Sequence, residues 1–177
     1  ISRVSASLSY PCSAMIVCAM NPCPCGYYGH PTRRCTCTQQ SVQRYLSRLS
    51  GPLLDRLDIH IEVPPVEFAS LSGADIRKRV DAARAIQTER LKGSGISCNA
   101  KMDAAQTKKF CRPTPEGMIL LERVFEKLEL SARAYDKILR IARTVADLDG
   151  SETVNSDHIS QAVQYRSLDR TLWRNVK

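Results

Sequence analysis

No glycine in this 177-residue chain is followed by lysine, so the Gly-Lys-[Ser/Thr] end of a phosphate-cradling P-loop is missing. No apolar run ends in Asp-Glu either, which leaves out the acid pair that would hold magnesium beside such a loop. These two gaps predict that the chain by itself neither binds ATP tightly nor hydrolyses it. Aromatic residues make up only 6%, too few for an aromatic-rich β-sandwich. The longest uninterrupted apolar run, Ala14–Met20, falls far short of the roughly 20 residues a membrane-spanning helix needs. There is no basic-then-apolar leader, no internal repeat and no low-complexity stretch. The expectation is a soluble, cytoplasmic chain with no membrane partner, long enough for one ordinary domain or two small ones. It opens at Ile1-Ser2-Arg3 without an initiator methionine, which reads as part of a longer protein.

Charge is present in excess of one sign. Lys and Arg total 26 against 18 Asp and Glu, a balance of +8. Residues 1–71 hold six basic and four acidic side chains, so most of the excess lies beyond them. There it is interleaved with acids along helical stretches and forms no dense block. Such a pattern fits a solvated helix face as well as a phosphate-contacting surface. Charge alone leaves both open.

Residues 10–21 read as a short buried strand that stops at the turn signal Asn21-Pro22. A Cys/Gly/Pro-rich insert follows, from Pro22 to Thr38. Gln40–Leu49 has helical spacing through Val42, Tyr45, Leu46 and Leu49. Leu57–Val63 alternates apolar and polar with period two, which predicts a strand stopped by Pro64-Pro65. Beyond Phe68 the pattern turns helical. Ser72 with Asp75 reads as an N-cap, and Ile76, Val80, Ala83 and Ile86 form a stripe that ends at Gly93. Asp103 can cap a short helix to Cys111. Thr114-Pro115-Glu116 is a start signal with a hydroxyl cap, Pro in the first turn and an acid against the dipole. Ser131 caps a long helix through Ile138, Leu139, Ile141, Ala142, Val145 and Leu148, closed by Asp149-Gly150. Asn155 or Ser156 starts a last one. The predicted join between a strand-bearing piece and a helical domain lies near residues 64–72.

Four of the eight cysteines fall in one window: Cys23-Pro24-Cys25, nine residues, then Cys35-Thr36-Cys37. Two thiol pairs closed by a Gly/Pro-rich loop can offer four sulfurs tetrahedrally, as structural Zn2+ requires. The gaps are one residue tighter than the usual pair spacing, and His30 inside the loop is an alternative ligand. Disulfides and four reduced thiols are the competing readings, the former disfavoured without a secretory leader. Cys12, Cys18, Cys98 and Cys111 read as small buried hydrophobes.

The stretch Ala19-Met20-Asn21-Pro22-Cys23-Pro24-Cys25-Gly26, with Arg34-Cys35-Thr36-Cys37, resembles the magnesium-chelatase-like AAA+ ATPases of the YifB/ComM competence-protein family. Gly51-Pro52-Leu53-Leu54-Asp55-Arg56-Leu57-Asp58, Leu130-Ser131-Ala132-Arg133-Ala134-Tyr135-Asp136 and Tyr165-Arg166-Ser167-Leu168-Asp169-Arg170 resemble it too, in order, over residues 1–170. The resemblance implies a mainly α chain with a small α/β part. Residues 1–70 would be the C-terminal part of an AAA+ core, 71–170 the helical lid, and 171–177 a tail. It implies Asn21 as sensor 1, an amide that can both donate to and accept from the attacking water. It implies Arg56 as an arginine finger toward a neighbouring subunit's ATP, a task suited to a permanent, planar cation. Arg133 is implied as sensor 2, acting in cis at a helix N-terminus that itself favours an anion. Arg140 and Arg143 rank below it. The local readings of these three are a turn residue, a surface ion pair and a surface arginine. The parent protein would be an ATP hydrolase using ATP with Mg2+, a homo-hexamer that remodels DNA by branch migration or as a helicase. The competing class is a zinc-stabilised nucleic-acid or protein binding module without motor activity. Magnesium chelation ranks behind both. With the P-loop strand absent, the resemblance leaves the two predicted strands without their central neighbour, free to pair, swap between copies or lie on the helices.

Overall fold

The computed structural model describes residues 2–3, 6–10, 14–63, 74–128 and 130–166. The chain divides into two compact units, Ile1–Arg48 and Leu49–Lys177. In the first, β1 (Ser2–Arg3) pairs antiparallel with β2 (Ala6–Ser7), Ser2 opposite Ser7. The cysteine-rich loop follows, then α1 (Gln39–Leu46), capped by the Thr38 hydroxyl, which accepts from the Ser41 N–H, and burying Val42 and Leu46.

The expected buried strand over residues 10–21 is corrected. Residues 14–20 form no strand and are exposed throughout, with Met15 89% and Val17 81% accessible. A strand exists only with a hydrogen-bonding neighbour, and among the described residues none pairs with this stretch.

The second unit opens with α2 (Gly51–Arg56), where Ser50 caps the Leu53 N–H and Pro52 sits in the first turn. Leu57–Val63, expected as a strand, is not one either, and Ile59, Ile61 and Val63 are exposed. Its first residues lie on the helices instead, the His60 N–H donating to the Tyr165 carbonyl at 2.7 Å. The Ser72 cap, the Pro64-Pro65 stop, Cys12 and the tail lie outside the described residues.

The helices of the second unit follow their sequence signals closely. They are α3 (Ala74–Arg90), α4 (Ala104–Phe110), α5 (Pro115–Lys127), α6 (Ala132–Leu148) and α7 (Ser156–Gln164). Asp103 and Gln106 form a reciprocal capping box, Thr114 caps Gly117, Ser131 caps Ala134, and Asn155 caps Asp157 and His158. Each such cap contributes about 1 kcal/mol by satisfying N–H groups that the first turn leaves unpaired. Gly150 ends α6 at φ +66°, a left-handed conformation that disfavours a side chain. One helix turns a different face from the one its stripe predicts. In α3, Ile76, Val80 and Ile86 are solvent-accessible, whereas Ala83 and Gln87 point inward. The Gln87 amide oxygen accepts from the buried Asn99 N–H.

The core gathers Leu121, Ile138, Ala142, Ala146, Val154, Ile159 and Ala162 around α6, with Leu91, Met102 and Cys111 at one side. Full burial of a side chain such as Ile138 stabilises by about 1.5–3 kcal/mol. Within this shell lies an ion network. Asp147 accepts from both guanidinium ends of Arg90, from Arg143 Nε at 3.0 Å and from Asn99 Nδ2 at 2.7 Å. Arg143 also donates to the carbonyls of Ser151 and Glu152. Burial alone would raise the Asp147 carboxyl. The hydrogen bonds from Arg90 and Asn99, with the Arg143 charge, outweigh it and hold the carboxyl below its ordinary value. Arg143 is thereby committed to the interior of the second unit.

Candidate functional site

Two sites emerge, one in each unit. The first is the thiol cluster. Pro24 and Gly26 reverse the chain, Gly26 at φ +82° with its N–H bonded to the Cys23 carbonyl. That reversal brings Cys23 and Cys25 to 3.3 Å between sulfurs, and Cys35 to 3.7 Å and 3.5 Å from them. With Cys37, all four sulfurs lie within 4.8 Å of one another. No pair is bonded, since these separations far exceed the ~2.05 Å of a disulfide. Four thiolates held at ~2.3 Å from one zinc stand about 3.8 Å apart, so the donor set fits tetrahedral zinc.

The electrostatics of the cluster agree with that fit. The backbone N–H groups of Tyr27 and Thr36 bring the Cys25 thiol down to about 5. The Cys37 N–H also favours a Cys35 thiolate, but burial and the neighbouring Cys25 and Cys23 sulfurs push it up to about 12. Cys37 is raised as well. Four sulfurs this close cannot all ionise without a cation among them. His30 is not a ligand. Its Nδ1 accepts from the N–H groups of Thr32 and Arg33, and its ring lies outside the cluster of four. Of the remaining cysteines, Cys111 is buried as expected, but Cys18 is exposed and Cys98 only half-buried.

Asn21 belongs to the same unit and is exposed, its side chain over Gly26 at the start of the loop. Arg56 and Arg133 belong to the second unit, and there the structure brings their surroundings together. Arg133, the second residue of α6, is 64% exposed and lies 3.5 Å from Asp55, the residue before Arg56. Arg56 is exposed at the end of α2, its NH1 donating to the Pro52 carbonyl at 3.1 Å.

Two buried cations hold this turn, and neither was singled out in the sequence. Lys137 Nζ donates to the carbonyls of Asp55 at 2.8 Å and Arg56 at 2.7 Å, and pairs with Asp58 at 2.9 Å. Arg166 NH1 donates to the Leu57 and Asp58 carbonyls at 2.9 Å and 3.2 Å, and its NH2 lies 3.7 Å from Asp55. Cations are favoured at a helix C-terminus, where carbonyls go unpaired. One readable signal was Lys137 itself, a charge directly preceding the apolar pair Ile138-Leu139. Arg140 instead binds the carbonyls of Ala100 and Met102.

Arg56 thus ends α2 on a turn held by Lys137 and Arg166, and Arg133 of α6 reaches Asp55 of the same turn. The sequence profile described as magnesium chelatase, subunit ChlI, matches residues 1–71, and that of the ChlI C-terminal region matches residues 70–166. The uncharacterized protein YifB of Escherichia coli is 39% identical over 97% of this chain and 34% of its own length. The competence protein ComM of Haemophilus influenzae is 37% identical over the same shares. An uncharacterized protein of Mycobacterium bovis is 31% identical over 94% of the chain. The chain thus spans about a third of the length of the curated relatives it matches. No described helix is long and apolar enough to cross a membrane.

Proposed function

Because this chain belongs to the magnesium chelatase ChlI family, we propose that it supplies the sensor, finger and lid elements of a ring-forming AAA+ ATPase. In this reading residues 1–70 complete the ATPase core and 71–170 form the lid. The parent protein is a cytoplasmic hexamer that couples hydrolysis of Mg2+-bound ATP to DNA remodelling. A relative named for competence favours DNA over a porphyrin as its substrate.

The observation that carries the reading is the Asp55–Arg133 pair beside Arg56. Both arginines are exposed, Arg133 of α6 reaches the residue before Arg56, and Lys137 and Arg166 hold that turn. A guanidinium that must meet developing charge on a transferred phosphoryl group gains from such prior placement. Asp55 next to Arg56 supports one nucleotide served by both arginines. Arg133 then acts on the neighbouring subunit's ATP together with Arg56, in place of the cis role the resemblance alone implies. Asn21 orients the attacking water. The test is ATP turnover by the longer, P-loop-bearing chain with single-stranded, duplex and branched DNA. DNA-stimulated turnover that Arg56→Ala abolishes is expected. Turnover that no DNA stimulates would contradict the DNA assignment, and full turnover by the variant would contradict the finger.

The thiol cluster favours a second reading, a zinc-stabilised binding module without a motor. It predicts zinc-dependent folding of residues 22–38 and salt-dependent DNA binding with no dependence on ATP.

A further inference from the structure

The first 54 residues contain no aspartate or glutamate, although the whole chain has 18 acids. An even spread would put about five there. Their charged side chains are all arginine: Arg3, Arg33, Arg34, Arg44 and Arg48. The second unit pairs its cations with carboxylates, as Arg90 and Arg143 do with Asp147 and Lys137 does with Asp58. The first unit has no carboxylate side chain of its own to do so. A surface of one sign with no internal counter-charge fits a polyanionic partner.

The cysteine loop shows what kind. The Arg33 guanidinium lies 5.3 Å over the Tyr27 ring, and its NH1 donates to the Tyr27 hydroxyl at 2.8 Å. Tyr27 meets the His30 ring edge-on at 5.7 Å, and His30 is fixed by the backbone N–H groups it accepts. Tyr28 and Arg34, the chain neighbours of Tyr27 and Arg33, are exposed, and Gly29 turns the chain at φ +78°. An arginine held against an aromatic ring, with an exposed tyrosine and a second exposed arginine, combines planar faces for bases with cations for phosphates. Unpaired bases have faces free to stack, whereas duplex bases do not. A free nucleotide would use one cation cluster, not arginines spread from the loop to α1 and beyond it.

We infer that the loop over residues 26–34, with Arg44 and Arg48, is a contact surface for single-stranded nucleic acid. Tyr27 and Tyr28 stack on bases, and Arg33 and Arg34 engage successive phosphates. This deepens the reading above by naming surface and strand form, and it rests on that reading for the choice of DNA.

The test is fluorescence anisotropy of the zinc-loaded chain with a fluorescein-labelled oligothymidylate of about 20 nucleotides. Tyr28→Ala is expected to weaken binding about tenfold. Arg34→Gln is expected to flatten the salt dependence by about 0.7 in logarithmic slope. Both variants should keep the wild-type zinc content, which reports an assembled loop. Wild-type affinity in both variants overturns the inference, as does equal competition by polyglutamate or by Mg-ATP. DNA-stimulated turnover of the longer chain that neither variant alters overturns the surface and leaves the reading standing. Turnover that no DNA stimulates, with oligonucleotide binding still sensitive to both variants, overturns the reading and upholds the surface.

Discussion

Lys137 Nζ donates to the Arg56 carbonyl at 2.7 Å across 81 residues of sequence, from a side chain only 8% exposed. The bond ties the turn that carries one candidate phosphate ligand to the helix that carries the other. Lys137→Met leaves the Asp55 and Arg56 carbonyls without this donor and Asp58 without its cation. A loss of about 2 kcal/mol is expected, read as a lower denaturant midpoint at constant slope. An unchanged midpoint would show that the clamp holds nothing.

Asp147 predicts a pH signature. Its carboxyl is held below the ordinary value, so its stabilisation is complete above the unfolded value of about 3.9 and is lost as pH falls through the lower folded value. Asp147→Asn leaves the buried Arg143 and the half-buried Arg90 with their charge uncompensated, at a cost of about 3–5 kcal/mol. The gap between wild type and variant should be level from pH 7 to 5 and close below about pH 4. Urea titrations across that range measure it, and a gap independent of pH contradicts the network's role.

Zinc removal should act on one unit only. A chelator, or Cys35→Ser, is expected to take bound zinc from one equivalent to none and unfold the loop over residues 22–38. The far-UV helical signal should persist, because α3 to α7 close a core that includes none of those cysteines. Zinc content by colorimetric release and circular dichroism check the two halves. Loss of the helical signal together with the metal would contradict this independence.

The parts legible in the sequence were the local ones. Thr114-Pro115-Glu116, Ser131 and Asp103 each announced a helix start, because a cap is decided within four residues. The four-cysteine cluster was legible for the same reason, its thiols lying 14 residues apart at most. Ile59, Ile61 and Val63 misled, since alternation makes a strand only beside another strand. Ile76 and Val80 misled on facing, because α3 turns inward through Ala83 and Gln87 to meet Asn99. Lys137 and Arg166 stayed hidden because their acceptors lie about 80 and 109 residues away. The acid-free stretch ending at Leu54 was in plain sight, but a count taken to residue 71 averages it away with Asp55, Asp58, Glu62 and Glu67.

If Arg56 and Arg133 serve one phosphate group, their substitutions are not independent. Each alanine variant of the longer chain should lower kcat by about 10³-fold with little change in KM. The double variant should fall little further than either single one. Losses that multiply would place the two arginines at separate nucleotides.

The most direct measurement is turnover by mixed rings of the longer chain. Subunits carrying Arg56→Ala are combined with subunits whose P-loop lysine is replaced. Each is expected to be inactive alone, while the mixture hydrolyses ATP, because an intact P-loop then meets an intact Arg56 from its neighbour. A mixture no more active than its separate components, or an Arg56→Ala protein with full turnover, contradicts the assignment of this turn to a neighbouring subunit's ATP.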